Sequence, residues 1–194
     1  GFDLPIAIGI LTEEEVLDWE KIKNYAFIGE LALDGLIRGI NGVLPLVLGL
    51  KEAGIVDIVV PKSNAKEAAL IDGVNIYPAE HLTDVVNHFI DTKITPLKID
   101  IQKYLTAQSE IEYPYDFKDV KGQQKAKKAL EIAAAGGHNM LMIGSPGSGK
   151  TLMAKCFPSI LPPLTLPEAL ELTKIYSICG LLSQEEPLMS KRPF

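Results

Sequence analysis

The stretch Gly144-Ser145-Pro146-Gly147-Ser148-Gly149-Lys150-Thr151 decides the fold of the second half of this chain. It fits G-x-x-x-x-G-K-[ST] at every fixed position and stands between an apolar run, Asn139–Ile143, and a helical pattern, Thr151–Phe157. A strand, a glycine-rich turn and a helix in that order form a phosphate loop. The glycines let successive backbone N–H groups turn inward without Cβ clashes, and the helix directs its positive N-terminus at the same anion. Lys150 is the expected contact to the β- and γ-phosphates, and the Thr151 hydroxyl the expected Mg²⁺ ligand. The whole of Gly144, Ser145, Pro146, Gly147, Ser148, Gly149, Lys150 and Thr151 is therefore the candidate cofactor site, with ATP and Mg²⁺ as cofactors.

Working outward, Gln123–Ala135 is rich in Ala, Lys, Leu and Glu and predicts a helix closed by Gly136-Gly137. Pro167–Ile178 predicts the last helix. No apolar run ending in Asp-Glu follows Thr151, so the acidic Walker B residue needed for hydrolysis is not found in the sequence. The expectation is a chain that binds nucleotide without hydrolysing it efficiently, and no catalytic residue is assigned.

Upstream, residues 1–91 alternate short apolar runs with helical periodicity. Asp3 is placed to cap a helix through Leu11; Ala26–Leu33 reads as a strand, Asp34-Gly35 as a turn and Leu36–Ile40 as its return. Gly42–Ala53 predicts a helix ended by Gly54, and Ile55–Val60 a buried strand stopped by Pro61. Asn64–Ile71, Val74–Tyr77 and Leu82–Ile90 continue as helix, strand and helix, an α/β unit. Residues 92–113 are polar and broken by Pro96, a linker with some helix near Ile101–Ala107. The domains are then 1–91, the 92–113 linker, and 114–194.

The chain has 194 residues and a formal net charge of −6, which argues against coating nucleic acid by bulk charge. Two cysteines are too few for a disulfide framework, and with a phosphate loop they suggest a cytoplasmic protein. No apolar stretch reaches transmembrane length, so no membrane partner is expected. The chain opens at Gly1 without an initiator Met and ends at Arg192-Pro193-Phe194, and both ends read as those of a piece of a longer protein.

Further signals carry bland readings. Lys121, Lys125 and Lys128 share one helical stripe, with Lys118 and Lys127 nearby; a solvated face is favoured over a phosphate track. His81, Asp84 and His88 share a face but lack further metal ligands. Cys156 and Cys179 read as small core residues, and Trp19, Tyr25 and Phe27 as core rather than a stacking platform. A structural or nucleotide-adjacent role is expected for His138.

The segments Tyr115–Gln123 and Ala129–Asn139, the phosphate loop, Ile160-Leu161-Pro162-Pro163-Leu164 and Arg192-Pro193-Phe194 together resemble the AAA+ module of the magnesium-chelatase-related ComM/YifB family. The resemblance implies a ring-forming ATPase, a hexamer of like chains, with DNA as partner and branch migration as its work. It places Walker B, the sensors and the arginine finger beyond Phe194. It also places Phe117–Gly122 beside the adenine, with Val120 and Gly122 as base contacts. The front half, through Gly29–Gly35, Gly49–Gly54 and Val59–Lys62, is similar to the Lon protease domain. That fold implies a Ser–Lys dyad; here Gly1 falls near the Ser position and Leu44 near the Lys position, so protease chemistry is not expected. Lys51 reads as a solvated surface lysine. The fold class is α/β: an α+β Lon-protease-like domain, then the N-terminal part of a P-loop AAA+ α/β domain. Two other activities stay open, an ATP-driven magnesium-chelatase subunit and an ATP-dependent Lon-like protease.

Overall fold

The computed structural model describes residues 2–106, 113–183 and 185–193. Gly1, at the expected Ser position, Ala107, at the end of the expected linker helix, and Phe194, in the terminal family match, lie outside them. The described residues form an α/β fold that separates into two compact units. The first runs to Gln102 and includes Pro167–Met189; the second comprises Lys103–Leu166 and Ser190–Phe194. The helix read from the sequence at Pro167–Ile178 thus packs with the front half of the chain.

In the first unit, helix α1 (Asp3–Glu13) and the short α2 (Trp19–Ile22) precede strand β1 (Tyr25–Phe27). Asp3 is the first residue of α1 rather than its cap, and Phe2 at the cap position offers no side-chain bond. The single strand expected over Ala26–Leu33 divides. Gly29 takes φ +142°, a value closed to most side chains, and β2 (Glu30–Leu31) leaves the first sheet to pair with β3 (Ile37–Arg38) as an antiparallel ribbon. Helix α3 (Val43–Glu52) ends before Gly54, which takes φ +84°.

Strand β4 (Asp57–Pro61) lies between β1 and β5 (Asn75–Ala79) in a three-stranded parallel sheet. Pro61 does not stop the strand but ends it in register with Ala79. Ile58, Val59 and Val60 are all inaccessible to solvent, which fits a central parallel strand covered on both faces. On one face Val59, Tyr77 and Ala79 pack with Leu4 and Ile8 of α1 and with Val85 and Phe89 of α5 (Leu82–Ile90). By pleat alternation Ile58, Val60 and Ile76 face the other side, where α4 (Ala65–Ala68) lies against β4 and β5 and α3 lies against α4. Phe27 and Tyr25 join this core, as expected, but Trp19 is 60% exposed. Burial of Leu17 and Ile22 on either side satisfies the short α2 and leaves the indole outward.

Helix α6 (Ile101–Thr106) falls in the expected linker. In the second unit, a 3-10 turn (Phe117–Asp119) leads to α7 (Gln124–Gly136), then to α8 (Lys150–Cys156) and a 3-10 turn (Phe157–Ile160). Phe117, Val120, Leu130, Met153 and Cys156 form its core. The strand expected at Asn139–Ile143 is not formed. A strand needs a hydrogen-bonding neighbour, and among the described residues none pairs with it; Leu141 and Ile143 stand 83% and 88% exposed. Helix α9 (Leu166–Ile178) belongs with the first unit from Pro167 onward.

Candidate functional site

The phosphate-loop residues are brought together in the second unit. Gly147 and Gly149 take φ +79° and +83°, and no atom lies within 4 Å of where a Cβ would stand at either. The loop is thus an open concavity whose conformation only glycine adopts without strain. Ser148 N–H donates to Ser145 O at 3.3 Å, closing the turn, and α8 starts at Lys150. The Lys150 ammonium folds over the loop and donates to Gly144 O and Ser145 O, both at 2.8 Å, and to Ser148 Oγ at 3.2 Å. Three acceptors in one place mark where the ammonium sits, and it can exchange those neutral partners for an anion. Pro146 and Thr151 are exposed at the loop and on the first turn of α8. The residues present fit a phosphate group and its metal ion on these grounds: an open glycine cradle, an ammonium held at it by neutral acceptors and an exposed hydroxyl at a helix start.

Val120 and Gly122 lie on the segment leading into α7. Val120 is 4% exposed and belongs to the core, while Gly122 takes φ +68°. Gln123 follows in the left-handed region, φ +54°, and its Nε2 donates to Ser148 O at 3.4 Å. The Val120–Gln123 segment therefore touches the phosphate loop directly through Gln123, a residue to which the sequence reading gave no role. A second tie runs through Ser159, whose Oγ accepts from Phe117 N–H at 3.0 Å and donates to Cys156 O at 2.7 Å. Burial among the core residues pushes the Cys156 thiol pKa up, with Asp119 and Asp116 adding to it, so this thiol is an inert core group. Cys179, by contrast, is exposed, correcting its expected burial.

The lysine stripe is partly engaged within its own unit. Lys127 stands 5.6 Å from the Phe117 ring centroid, Lys128 pairs with Glu131 at 3.6 Å, and Lys118 with Asp116 at 3.1 Å. The Asp116 carboxyl is held below its usual range by the Lys118 backbone N–H and ammonium. His81, Asp84 and His88 do not converge: His81 bonds Asp34 O at 2.8 Å, Asp84 accepts from the Glu80 and His81 N–H groups, and His88 faces Tyr25. Among the described residues no group of three or more His, Cys, Asp or Glu is placed to hold a metal ion. His138 donates its backbone N–H to Ala133 O, closing α7. Leu44, near the Lys position of the Lon resemblance, is fully buried, and its N–H donates to Glu67 Oε1 at 3.0 Å. Lys51 is exposed and donates to Asp72 O at 2.7 Å.

The class is that of an α/β protein: the larger, first unit is an α/β body, and the smaller, second unit carries the phosphate-loop motif at the start of α8. Two family descriptions match: Magnesium chelatase, subunit ChlI, over residues 116–194, and Subunit ChlI of Mg-chelatase over residues 1–64. The chain is 41% identical to the competence protein ComM of Haemophilus influenzae over 177 residues, 91% of this chain and 35% of that protein. It is 39% identical to the YifB protein of Escherichia coli over 193 residues, 100% of this chain and 37% of that one. Lon protease 2 of Bacillus subtilis is 31% identical over 83 residues, 40% of this chain and 15% of the protease. The chain belongs to the magnesium-chelatase-related ComM/YifB family, and it spans little more than a third of the length of the family relatives it matches.

Proposed function

We propose that this chain supplies the ATP-binding part of a ring-forming AAA+ ATPase that remodels DNA. The observation that carries the reading is the phosphate loop: two left-handed glycines with open space above them and Lys150 held at the loop mouth by three acceptors. Backbone N–H groups of Gly147 to Gly149 would cradle the phosphates and Lys150 would pair with them. The Thr151 hydroxyl would ligate Mg²⁺. Bound ATP–Mg²⁺ supplies the phosphoanhydride whose cleavage drives such machines. Val120 and Gly122 would border the base, kept at the loop by Gln123 and tied to the end of α8 through Phe117 and Ser159.

DNA as partner, a hexameric ring and branch migration come from the resemblance to the family, to which the competence protein ComM of Haemophilus influenzae belongs. A cytoplasmic location fits this work, and among the described residues no helix is long and apolar enough to cross a membrane. The test is the ATPase rate of the intact protein with and without single-stranded and branched DNA. Stimulation by DNA supports the motor; a rate indifferent to every DNA tested refutes it.

The family description favours one second reading, an ATP-driven magnesium-chelatase subunit. Stimulation of the ATPase by porphyrin rather than by DNA would select it.

A further inference from the structure

In the first unit, a cavity of about 690 Å³ opens between the end of α5, the segment that follows it and the edge of the sheet. Tyr25, Tyr77, His88, Phe89, Lys21 and Lys93 line it. Its size suits a small organic molecule, and its polar groups are mostly donors. His88 is 6% exposed, and its Nδ1 accepts the Ile94 N–H at 2.9 Å. The ring proton is therefore on Nε2. That N–H has Tyr25 Oη as its nearest partner, at 3.5 Å, the far edge of hydrogen-bond distance. A buried donor so poorly met costs free energy unless something else accepts from it. Tyr77 is already committed, its Oη donating to Asp57 Oδ1 at 3.1 Å. The two ammoniums stand at the mouth; Lys21 makes one long bond, 3.4 Å, to Phe89 O. Asp91 is the one acid in the lining, at the exposed rim, while Asp57 accepts from Tyr77 outside the lining and acts on His88 against Lys93.

We propose that this cavity is a binding site for a small organic anion. A carboxylate or phosphate head would accept from His88 Nε2–H between the Lys21 and Lys93 ammoniums, and a flat body would lie against the Tyr25 and Phe89 rings. Tyr25 and Phe89 meet edge to face, with centroids 4.9 Å apart, and form the aromatic wall of the cavity. Burial holds the His88 imidazole neutral, with Lys93 acting in the same direction. A bound anion would oppose both effects and raise the basicity of the ring.

The test uses the intact chain carrying Lys150→Ala, so that the phosphate loop does not compete for the probe. Phenyl phosphate, benzoate and inorganic phosphate are titrated while the His88 imidazole ¹H–¹⁵N signals are followed. The expected result is a saturable shift with phenyl phosphate or benzoate at millimolar concentration, and whichever is stronger identifies the head group. Replacing both Lys21 and Lys93 by Ala should weaken that binding about fivefold or more, since each partly exposed charge is worth up to about 1 kcal/mol. Absence of a saturable shift with all three probes overturns the proposal, as does a shift that survives loss of both lysines unchanged. Both lysines are at the surface, so the double variant should fold, and its melting curve checks this. ATP binding by the parent chain is a separate readout, so failure here leaves the phosphate-loop reading intact.

Discussion

Ser159 Oγ accepts the backbone N–H of Phe117 at 3.0 Å, joining the turn after the phosphate-loop helix to the segment before α7. The same hydroxyl donates to Cys156 O, so it closes the last turn of α8 while it anchors its neighbour. Phe117 and Cys156 lie in one small core with Val120, Leu130 and Met153. A single side chain thus couples the segment before α7, proposed to border the base, to the far end of the helix that starts at the phosphate loop.

Replacing Ser159 by Ala should leave the Phe117 N–H without its acceptor in a half-buried place. The expected cost is about 1–2 kcal/mol of stability, read as a lower urea midpoint at unchanged slope. ATP affinity should fall while affinity for inorganic tripolyphosphate, which has no base, changes little. Equal losses for both ligands would show that Ser159 supports the fold without orienting the base side.

Lys150→Ala removes the ammonium that bridges Gly144 O, Ser145 O and Ser148 Oγ. Charge-assisted bonds to a phosphate are worth about 1.5–3 kcal/mol, so ATP should bind about tenfold to a hundredfold more weakly. Isothermal titration calorimetry reads this directly. Unchanged affinity would remove Lys150 from the site and with it the main support for the proposed function.

The sequence made the elements legible wherever one local signal ruled. Leu82–Ile90 begins and ends where its apolar period predicts, and Gly54 and Gly137 close their helices in the left-handed region. The left-handed turns at Gly147 and Gly149 were legible because the glycine spacing of the motif is dictated by backbone sterics. What local pattern could not carry was partnership. Leu141 and Ile143 have the composition of a strand but no neighbour among the described residues. Ala26–Leu33 reads as one apolar run, yet Gly29 sends its halves to different sheets. Pro167–Ile178 is a helix by pattern, and only tertiary contact assigns it to the first unit. The ties of Gln123 and Ser159 to the candidate site come from polar residues whose sequence neighbourhood announces nothing.

His88 predicts a pH dependence of the first unit. Burial, reinforced by Lys93, lowers its pKa below the ordinary value of 6.5, while Asp57 acts weakly the other way. The unfolded chain therefore takes up the proton first as pH falls. The stability held in the neutral ring is complete above the unfolded value and is lost as pH drops through the folded one. Protonation of Nδ1 would also set an N–H against the Ile94 N–H that it now accepts. Urea midpoints measured from neutral to mildly acid pH should decline, and His88→Gln should flatten that decline. A variant with the slope of the parent would place the titration elsewhere.

Glu67 is the buried acid on which α9 rests. It is 8% exposed, and its Oε1 accepts from Leu44 N–H at 3.0 Å and from the Ser177 hydroxyl. Its Oε2 accepts from Asn64 Nδ2 at 3.2 Å. Beside it Gly42 N–H donates to Ser177 O at 3.0 Å. At Gly180 a Cβ would come within 2.6 Å of Asn41 Nδ2, so the chain leaving α9 also approaches as closely as glycine permits. Glu67→Ala strands one N–H and one hydroxyl in the interior, at about 1–3 kcal/mol each before relaxation. Glu67→Gln keeps the shape and one acceptor and should cost less than Glu67→Ala. The distinguishing measurement is amide hydrogen exchange across residues 167–180. Glu67→Ala should speed exchange there more than in β4, because the loss falls on the docking of α9 and not on the sheet. Uniform acceleration through both segments would mean that α9 and the sheet open as a single cooperative unit.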